Sequence, residues 1–429
     1  MILANGNVYH SSEQSRILTS LEEKLNQTLA MQTLRPEIVI NALDRMSRKI
    51  DEGMFNTLLI DDFLRASVSF ASRMLRRDML EHKVRTELGE QFFIPRQSVS
   101  PDGFDCITIR PEPLGTIMHI AAGNMDLLPA YSVIEGLLTG NINLLKLPQA
   151  DQGLTITFFR ELIFIEPLLR DYIYVFDTPS SDIEGMCQMA SCCDGIALWG
   201  GEVAVKAIRQ LAPPGCKLIE WGHRLSFAYI SGYTDKEKEL TALAEHIFTT
   251  KQLLCSSCQV IYLDTDRMED ISIFCTEFLP YLEKAAQKYP VTEIGAVAEM
   301  TLRRYADRLE YLLDDNADSN MLIYHGKECS LTACTDSELE LSYMYGNCLV
   351  KRLPECEMLH VLRKSKGYLQ TAGLICTPKR REHLTNLLIR SGINRVLPPG
   401  KMSEAFPGEA HDGEYPLRRY TRIVNILDS

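Results

Sequence analysis

Lys251-Gln252-Leu253-Leu254-Cys255-Ser256-Ser257-Cys258-Gln259 sets a thiol in a short polar run between a helical pattern and the apolar strand pattern Val260 to Leu263. A thiol on such a turn is presented by rigid flanks, and it becomes a nucleophile if its pKa falls. Other chemistries compete for the same residues. A Cys-x-x-Cys pair holds zinc when a second Cys or His pair stands at matching spacing, and none does here, so no metal site is expected. A thioredoxin-like redox pair and inert buried thiols remain open.

Three further segments carry groups of the right type. Ile219-Glu220-Trp221-Gly222-His223 closes a strand pattern with an acid beside a glycine turn, where a carboxylate could move a proton or activate water. Pro113 to Asn124 ends a strand pattern with a side-chain amide, and a fixed amide donor is what a developing oxyanion requires. Trp199-Gly200-Gly201-Glu202-Val203 joins a strand pattern to a helical one. Its two glycines let backbone approach a pyrophosphate at a helix N-terminus, although a plain tight turn reads the same way. Taken singly, Glu220 and Asn124 are also an ordinary surface acid and turn amide. His119, His223 and His411 read as hydrogen-bonded structural histidines and stay outside the catalytic set.

These groups need elements to position them. From Leu18 to Glu90 apolar residues recur at three- and four-residue spacing, as in Ile50, Met54, Leu58 and Leu59, which implies a run of helices used for packing and assembly. After Pro95 and the turn-like Pro101-Asp102-Gly103, short apolar strands alternate with helices. Thr116 to Ala121, Asn143 to Lys146, Tyr172 to Phe176, Ile196 to Trp199 and Lys217 to Ile219 are expected strands, and the alternation implies a doubly wound parallel sheet that takes a dinucleotide. The expected G-x-G-x-x-G loop of the common dinucleotide fold is missing from this region. A second strand-helix series runs from Leu225 to about Ile389, followed by a Gly/Pro-rich tail.

Bulk properties narrow the class. The 429 residues are 45% hydrophobic and 24% charged, which suits a folded protein of about two or three domains. A net charge of -12 without a basic cluster argues against nucleic-acid binding. The first 20 residues lack the pattern of a signal peptide, and no apolar run is long enough to span a bilayer, so no membrane span and a cytoplasmic location are expected.

Order and separation join the segments. The strand Pro113-Leu114-Gly115 leading to Asn124, the run Thr139-Gly140-Asn141 to Lys146, the turn Gly200-Gly201-Glu202, the Glu220-Trp221-Gly222 motif and Cys255, 35 residues after Glu220, together resemble the aldehyde dehydrogenase superfamily. Within it the chain is most similar to LuxC-type acyl-CoA reductases. The residues that carry this likeness are His119-Ile120-Ala121-Ala122-Gly123-Asn124, Leu128-Pro129-Ala130-Tyr131-Ser132, Gly222-His223-Arg224-Leu225-Ser226-Phe227, Cys255-Ser256-Ser257-Cys258-Gln259, Tyr368 to Gly373 and His411-Asp412-Gly413.

The resemblance implies an α/β, aldehyde-dehydrogenase-like fold: a helical region over 1–95, a doubly wound NADP(H)-binding domain over 96–222, an α/β catalytic domain over 223–400 and a C-terminal segment over 401–429 that packs back. It implies NADPH-dependent reduction of a fatty acyl-CoA or other acyl thioester to an aldehyde. Cys255 would be the acylated nucleophile, with Asn124 and the Cys255 N–H as oxyanion donors and Glu220 as a proton carrier. Lys146, Gln149, Gly200, Gly201 and Glu202 would contact NADP(H); a neutral Gln149, where NAD-preferring members carry an acid, tolerates a 2'-phosphate. An acyl-CoA or acyl-carrier substrate, an acyl-protein synthetase or acyl transferase partner and a homo-oligomer follow by the same likeness. Oxidation of free aldehydes, reduction of an acyl phosphate and a redox or scaffold protein without catalysis stay open. Two departures stand out. Cys258 occupies a position where the family usually has Pro, offering Cys255 a disulfide partner, and the late Glu-x-Phe-Gly motif that clamps the nicotinamide ribose is not found.

Overall fold

The computed structural model describes all residues except 32–33, 58–61, 101–102, 104–105, 122–126, 149–150, 152, 314–321 and 428–429. Contacts divide the chain into two compact units, Met1–Gly222 with Ala405–Ser429, and His223–Glu404.

In the first unit, β1 (Ile2–Ala4) and β2 (Asn7–Tyr9) form a hairpin, and β3 (Arg96–Val99) and β4 (Cys106–Pro113) form an antiparallel pair. Five parallel strands follow: β5 (Thr116–Ile120), β6 (Ile142–Lys146), β7 (Ile173–Phe176), β8 (Gly195–Trp199) and β9 (Lys217–Trp221). The sheet order is β2-β1-β7-β6-β5-β8-β9. Nearly every residue of β5 to β8 is buried, as expected of strands covered by helices on both faces. The chain steps outward from β5 to β6 and β7, then returns to the other side of β5 for β8 and β9. That reversal makes β5 and β8 a topological switch point, and sheets of this kind take ligands beside the carboxyl ends of the strands at such a point. The doubly wound sheet expected from the sequence is therefore present.

The N-terminal helices belong to the same core. In the helix Pro36–Asp51, Val39, Leu43, Met46 and Ile50 form one buried stripe that joins the core of the parallel sheet.

The second unit holds β10 (Leu225–Ser231), β11 (Cys258–Leu263), β12 (Leu322–His325), β13 (Ser330–Cys334), β14 (Asn347–Arg352), β15 (Leu369–Cys376) and β16 (Arg395–Leu397), ordered β12-β13-β14-β11-β10-β15-β16. Only β12 runs antiparallel to its neighbour. The helix Lys236–Thr250 connects β10 to β11, and Cys255 lies in the turn between that helix and β11.

The chain returns to the first unit as β17 (Thr421–Leu427), which pairs with β4 from Thr421↔Pro113 to Leu427↔Ile107. Sequence patterning assigned no strand to β3, β4 or β17. The partners of β4 and β17 stand some 300 residues apart, so no turn signal between them announces the pairing.

The first unit also buries a lysine between two acids. Lys83 Nζ pairs with Glu87 and lies 2.9 Å from Glu135 Oε1, all three nearly inaccessible to solvent. Glu87 Oε2 also accepts the Leu417 N–H at 2.9 Å. Glu135 Oε2 is buried without a hydrogen-bond partner among the described residues. Burial, reinforced by the Glu87 charge and opposed by Lys83, pushes the Glu135 carboxyl up to about 7. Folding therefore raises its proton affinity, a contribution fully present below the ordinary carboxylate value and lost as pH rises through about 7. Between pH 5 and pH 8 the protein should lose about 2 kcal/mol of stability relative to Glu135→Gln. Urea denaturation of both proteins at the two pH values measures this, and parallel profiles would refute it.

Candidate active site

The second unit presents Cys255. The helix Lys236–Thr250 is left through Lys251 (φ 50°) and Gln252 (φ 60°), two consecutive left-handed residues that are not glycine. The buried Gln252 amide holds this bend. Its Nε2 donates to the Cys258 carbonyl at 2.9 Å, and its Oε1 accepts the Gly346 N–H at 3.1 Å. Gln259 Nε2 donates to the Gln252 carbonyl at 2.8 Å, while Gln259 Oε1 accepts from Ser342 Oγ at 2.8 Å and from its N–H at 3.2 Å. The two glutamines thus tie both ends of the Cys255 turn to the segment between β13 and β14. Gly346 in that segment has φ 82°, and a Cβ there would lie 2.5 Å from the Phe248 ring, so only glycine fits.

Within the turn, Ser257 N–H donates to the Leu254 carbonyl at 2.9 Å and Leu254 N–H to Ser257 Oγ at 3.0 Å. Ser256 Oγ is 2.7 Å from Ser403 Oγ. Cys255, between these anchors, is exposed, and its carbonyl accepts from Ser226 Oγ at 2.6 Å. A cavity of about 350 Å³ in this unit is lined in part by Thr332, Ser342, Tyr343, Met344 and Leu349, so it shares Ser342 with the glutamine relay.

Cys258 has the opposite environment. It is buried, its S–H donates to the Val260 carbonyl at 3.4 Å, and burial pushes its thiol up to about 12. Its N–H donates to His246 Nε2 at 3.3 Å. Burial lowers His246 to about 4, so the ring is neutral near pH 7 and can accept that bond.

The first unit carries the remaining described residues, along the carboxyl edge of its parallel sheet. Lys146 ends β6; its Nζ donates to Ser180 Oγ at 3.0 Å, and burial lowers its pKa. Gly200 follows β8, and Gly201 is the N-cap of the helix Glu202–Leu211. No side chain caps that helix, and a Cβ on Gly201 would meet nothing within 4 Å. First-turn N–H groups beside open space suit an anionic group. Glu202 lies in the first turn and pairs with Lys206 at 3.5 Å, so the backbone of Gly200 and Gly201, rather than the Glu202 carboxylate, suits a pyrophosphate.

Glu220 lies in β9. Arg209 clamps it bidentately, Nε to Oε1 at 2.6 Å and Nη2 to Oε2 at 2.7 Å, so both carboxylate oxygens are engaged by a residue the sequence reading did not consider. Asn124 and Gln149 lie outside the described residues. In the same unit, Trp199 Nε1 donates to Ser132 Oγ at 3.1 Å, Ser132 Oγ lies 2.7 Å from His119 Nδ1, and His119 Nε2 lies 2.9 Å from Asn143 Oδ1. Burial lowers His119 to about 4, consistent with a neutral structural ring.

Sequence reasoning missed Ser226, Gln252, Gln259 and Ser342 as supports of the Cys255 turn. The two glutamines flanking Cys255 were a usable signal, because amides beside an apolar strand must be hydrogen-bonded if buried.

A family model described as acyl-CoA reductase (LuxC) matches residues 32–423. Similar curated proteins are long-chain acyl-protein thioester reductases. That of Vibrio harveyi is 22% identical, across 80% of this chain and 69% of its own. Reductase 2 of Photobacterium leiognathi is 23% identical across 74% and 65%, and the Photorhabdus laumondii protein 26% identical across 80% and 69%. The chain thus spans about two thirds of the length of these relatives. Among solved structures, NADP-dependent glyceraldehyde-3-phosphate dehydrogenase from Bacillus halodurans, complexed with NADP, superposes with a TM-score of 0.73 at 13% identity, covering 99% of this chain and 98% of its own. Lactaldehyde dehydrogenase from Escherichia coli gives 0.71 at 13% identity, covering 98% and 91%. These likenesses establish the aldehyde-dehydrogenase-like fold.

The contrast between the two thiols is measurable. Brief alkylation of the native protein should label Cys255, together with the exposed Cys187 and Cys356, and spare Cys258. Peptide mapping reads the outcome, and labelling of Cys258 at a comparable rate would contradict its burial.

Proposed function

Because the chain belongs to the LuxC acyl-CoA reductase family, we propose that it reduces a fatty acyl thioester to the aldehyde with NADPH, through an acyl-enzyme on Cys255. The observation that carries this reading is the exposed Cys255 thiol at the tip of a turn whose backbone is braced on both sides, beside a Cys258 thiol that burial makes inert. The names of the relatives supply the long acyl chain and the thioester.

In this reading the Cys255 thiolate attacks the thioester carbonyl, and the donor thiol leaves with the electron pair of the broken C–S bond. The Asn124 amide holds the oxyanion, a donor of a kind worth roughly 3 to 4 kcal/mol in comparable sites. Gly200, Gly201 and the helix that begins at Glu202 take the pyrophosphate, and Lys146 takes the adenosine ribose. When bound, NADPH supplies the hydride that reduces the acyl group. Collapse of the Cys255 thiohemiacetal then releases the aldehyde and regenerates the thiol. Gln149, being neutral, leaves room for a 2'-phosphate, which supports NADP(H) over NAD(H).

The Arg209 clamp on Glu220 favours reduction over aldehyde oxidation. Oxidation to an acid needs a water activated to release the acyl group, whereas thioester reduction does not. We assign Glu220 to the ion pair. The acyl group would come as acyl-CoA, on a carrier, or from an acyl-protein synthetase or acyl transferase. Exposed Ile423 and Leu427, which share one face of β17, support a homo-oligomer. No described helix is long and apolar enough to cross a membrane.

A panel of acyl-CoA, acyl phosphate and free aldehyde, followed by NADPH consumption and thiol release, tests the reaction. Activity confined to acyl phosphate or to aldehyde oxidation would overturn it. Cys255→Ala should bind NADPH as the unmodified protein does and form no aldehyde; residual turnover at the original rate would remove the nucleophile. Glu220→Gln should reduce acyl-CoA at unchanged turnover, and a large loss of turnover with NADPH binding intact would return Glu220 to proton transfer.

A further inference from the structure

Resting on the reading of Cys255 as nucleophile, we propose that Ser226 is a positioning residue that fixes the Cys255 peptide in the orientation needed for acyl transfer. Ser226 stands where β10 departs from regular pairing with both neighbours. Toward β11 the register jumps from Ser226↔Cys258 to Phe227↔Val260. Toward β15 it jumps from Leu225↔Leu369 to Phe227↔Ala372, so Gln370 and Thr371 stand opposite the single residue Ser226. Such a bulge breaks the ladder and re-aims side chains.

The Ser226 hydroxyl fills the gap in two directions. Its oxygen accepts the Thr371 N–H at 3.0 Å, and its single proton is donated to the Cys255 carbonyl at 2.6 Å. The side chain is 0% exposed, so solvent does not reach it in the folded state. The Cys255 carbonyl is thereby tied to a central strand while the Cys255 side chain remains exposed. Turn-internal bonds fix Leu254 and Ser257, the glutamines fix Gln252 and Cys258, and Ser226 fixes the reacting residue itself. Displacing a reacting atom by about 1 Å can cost on the order of 100-fold in rate. A serine that only completed the bulge would need its bond to Thr371 and no bond to Cys255.

The test measures acyl transfer from a long-chain acyl-CoA to Cys255 in the full chain without NADPH, by rapid quench and mass spectrometry, with thermal midpoints recorded alongside. Ser226→Ala should slow transfer at saturating acyl-CoA by about 10- to 100-fold per folded molecule, with the half-saturating concentration unchanged. Ser226→Thr, which keeps the hydroxyl, should recover most of the rate. If Ser226→Ala does not fold, Ser226→Cys, near in size and a weaker donor, makes the same comparison. A lowered midpoint with an unchanged transfer rate, or a loss confined to half-saturation, would reduce Ser226 to a structural role and overturn the proposal. If the unmodified protein acquires no acyl group on Cys255, the functional reading fails. Amide hydrogen exchange across Gln252 to Cys258 then decides the hold of Ser226: faster exchange in Ser226→Ala sustains it, and unchanged exchange overturns it.

Discussion

A left-handed bend at Lys251 and Gln252 must be held in place before Cys255 can be presented at all. Residues with a Cβ avoid this backbone region at roughly 1 to 2 kcal/mol each, and here two follow one another. The buried Gln252 amide compensates by bonding to both sides of the bend, to Cys258 and to Gly346. Its position explains why the segment between β13 and β14 closes on the end of the helix Lys236–Thr250, and why Gly346 must lie against the Phe248 ring. Because the turn leads directly into a wholly buried strand, the exposure of Cys255 and the burial of Cys258 are two results of one geometry. A disulfide between them would have to draw a thiol out of the core, which weakens the redox reading of the pair.

In the first unit the comparable constraint is topological. The strand order reverses at β5, and the uncapped helix beginning at Glu202 points its N–H groups to the carboxyl edge of the sheet. Trp199, Ser132, His119 and Asn143 form a buried chain of polar contacts in the same unit. Neutral His119 lets the chain run through the core without a buried charge. The Lys83, Glu87 and Glu135 group, by contrast, buries charge in the same unit and links the helix Arg77–Leu88 to the helix Leu128–Leu138.

What the sequence disclosed was what is local. Alternating strands and helices, the run to Lys146, the Gly200-Gly201 turn and the Cys255 turn each lie within a few residues, and their order along the chain identified the fold class. Contacts between distant residues were hidden. The bond from Ser226 to Cys255 joins residues 29 apart, that from Gln259 to Ser342 residues 83 apart, and β4 meets β17 across some 300 residues. The clamp from Arg209 to Glu220 is only 11 residues long, yet it crosses from a helix to an edge strand and left no periodic trace. It pairs the Glu220 carboxylate with the Arg209 guanidinium.

The proposed reaction turns on an acyl group held by Cys255. Incubating the protein with acyl-CoAs of graded chain length, without NADPH, and mapping the products by mass spectrometry tests it most directly. The expected result is an acyl adduct on the Cys255 peptide, removable by hydroxylamine and favoured by long chains. An adduct on another residue, or none at any chain length, would contradict it.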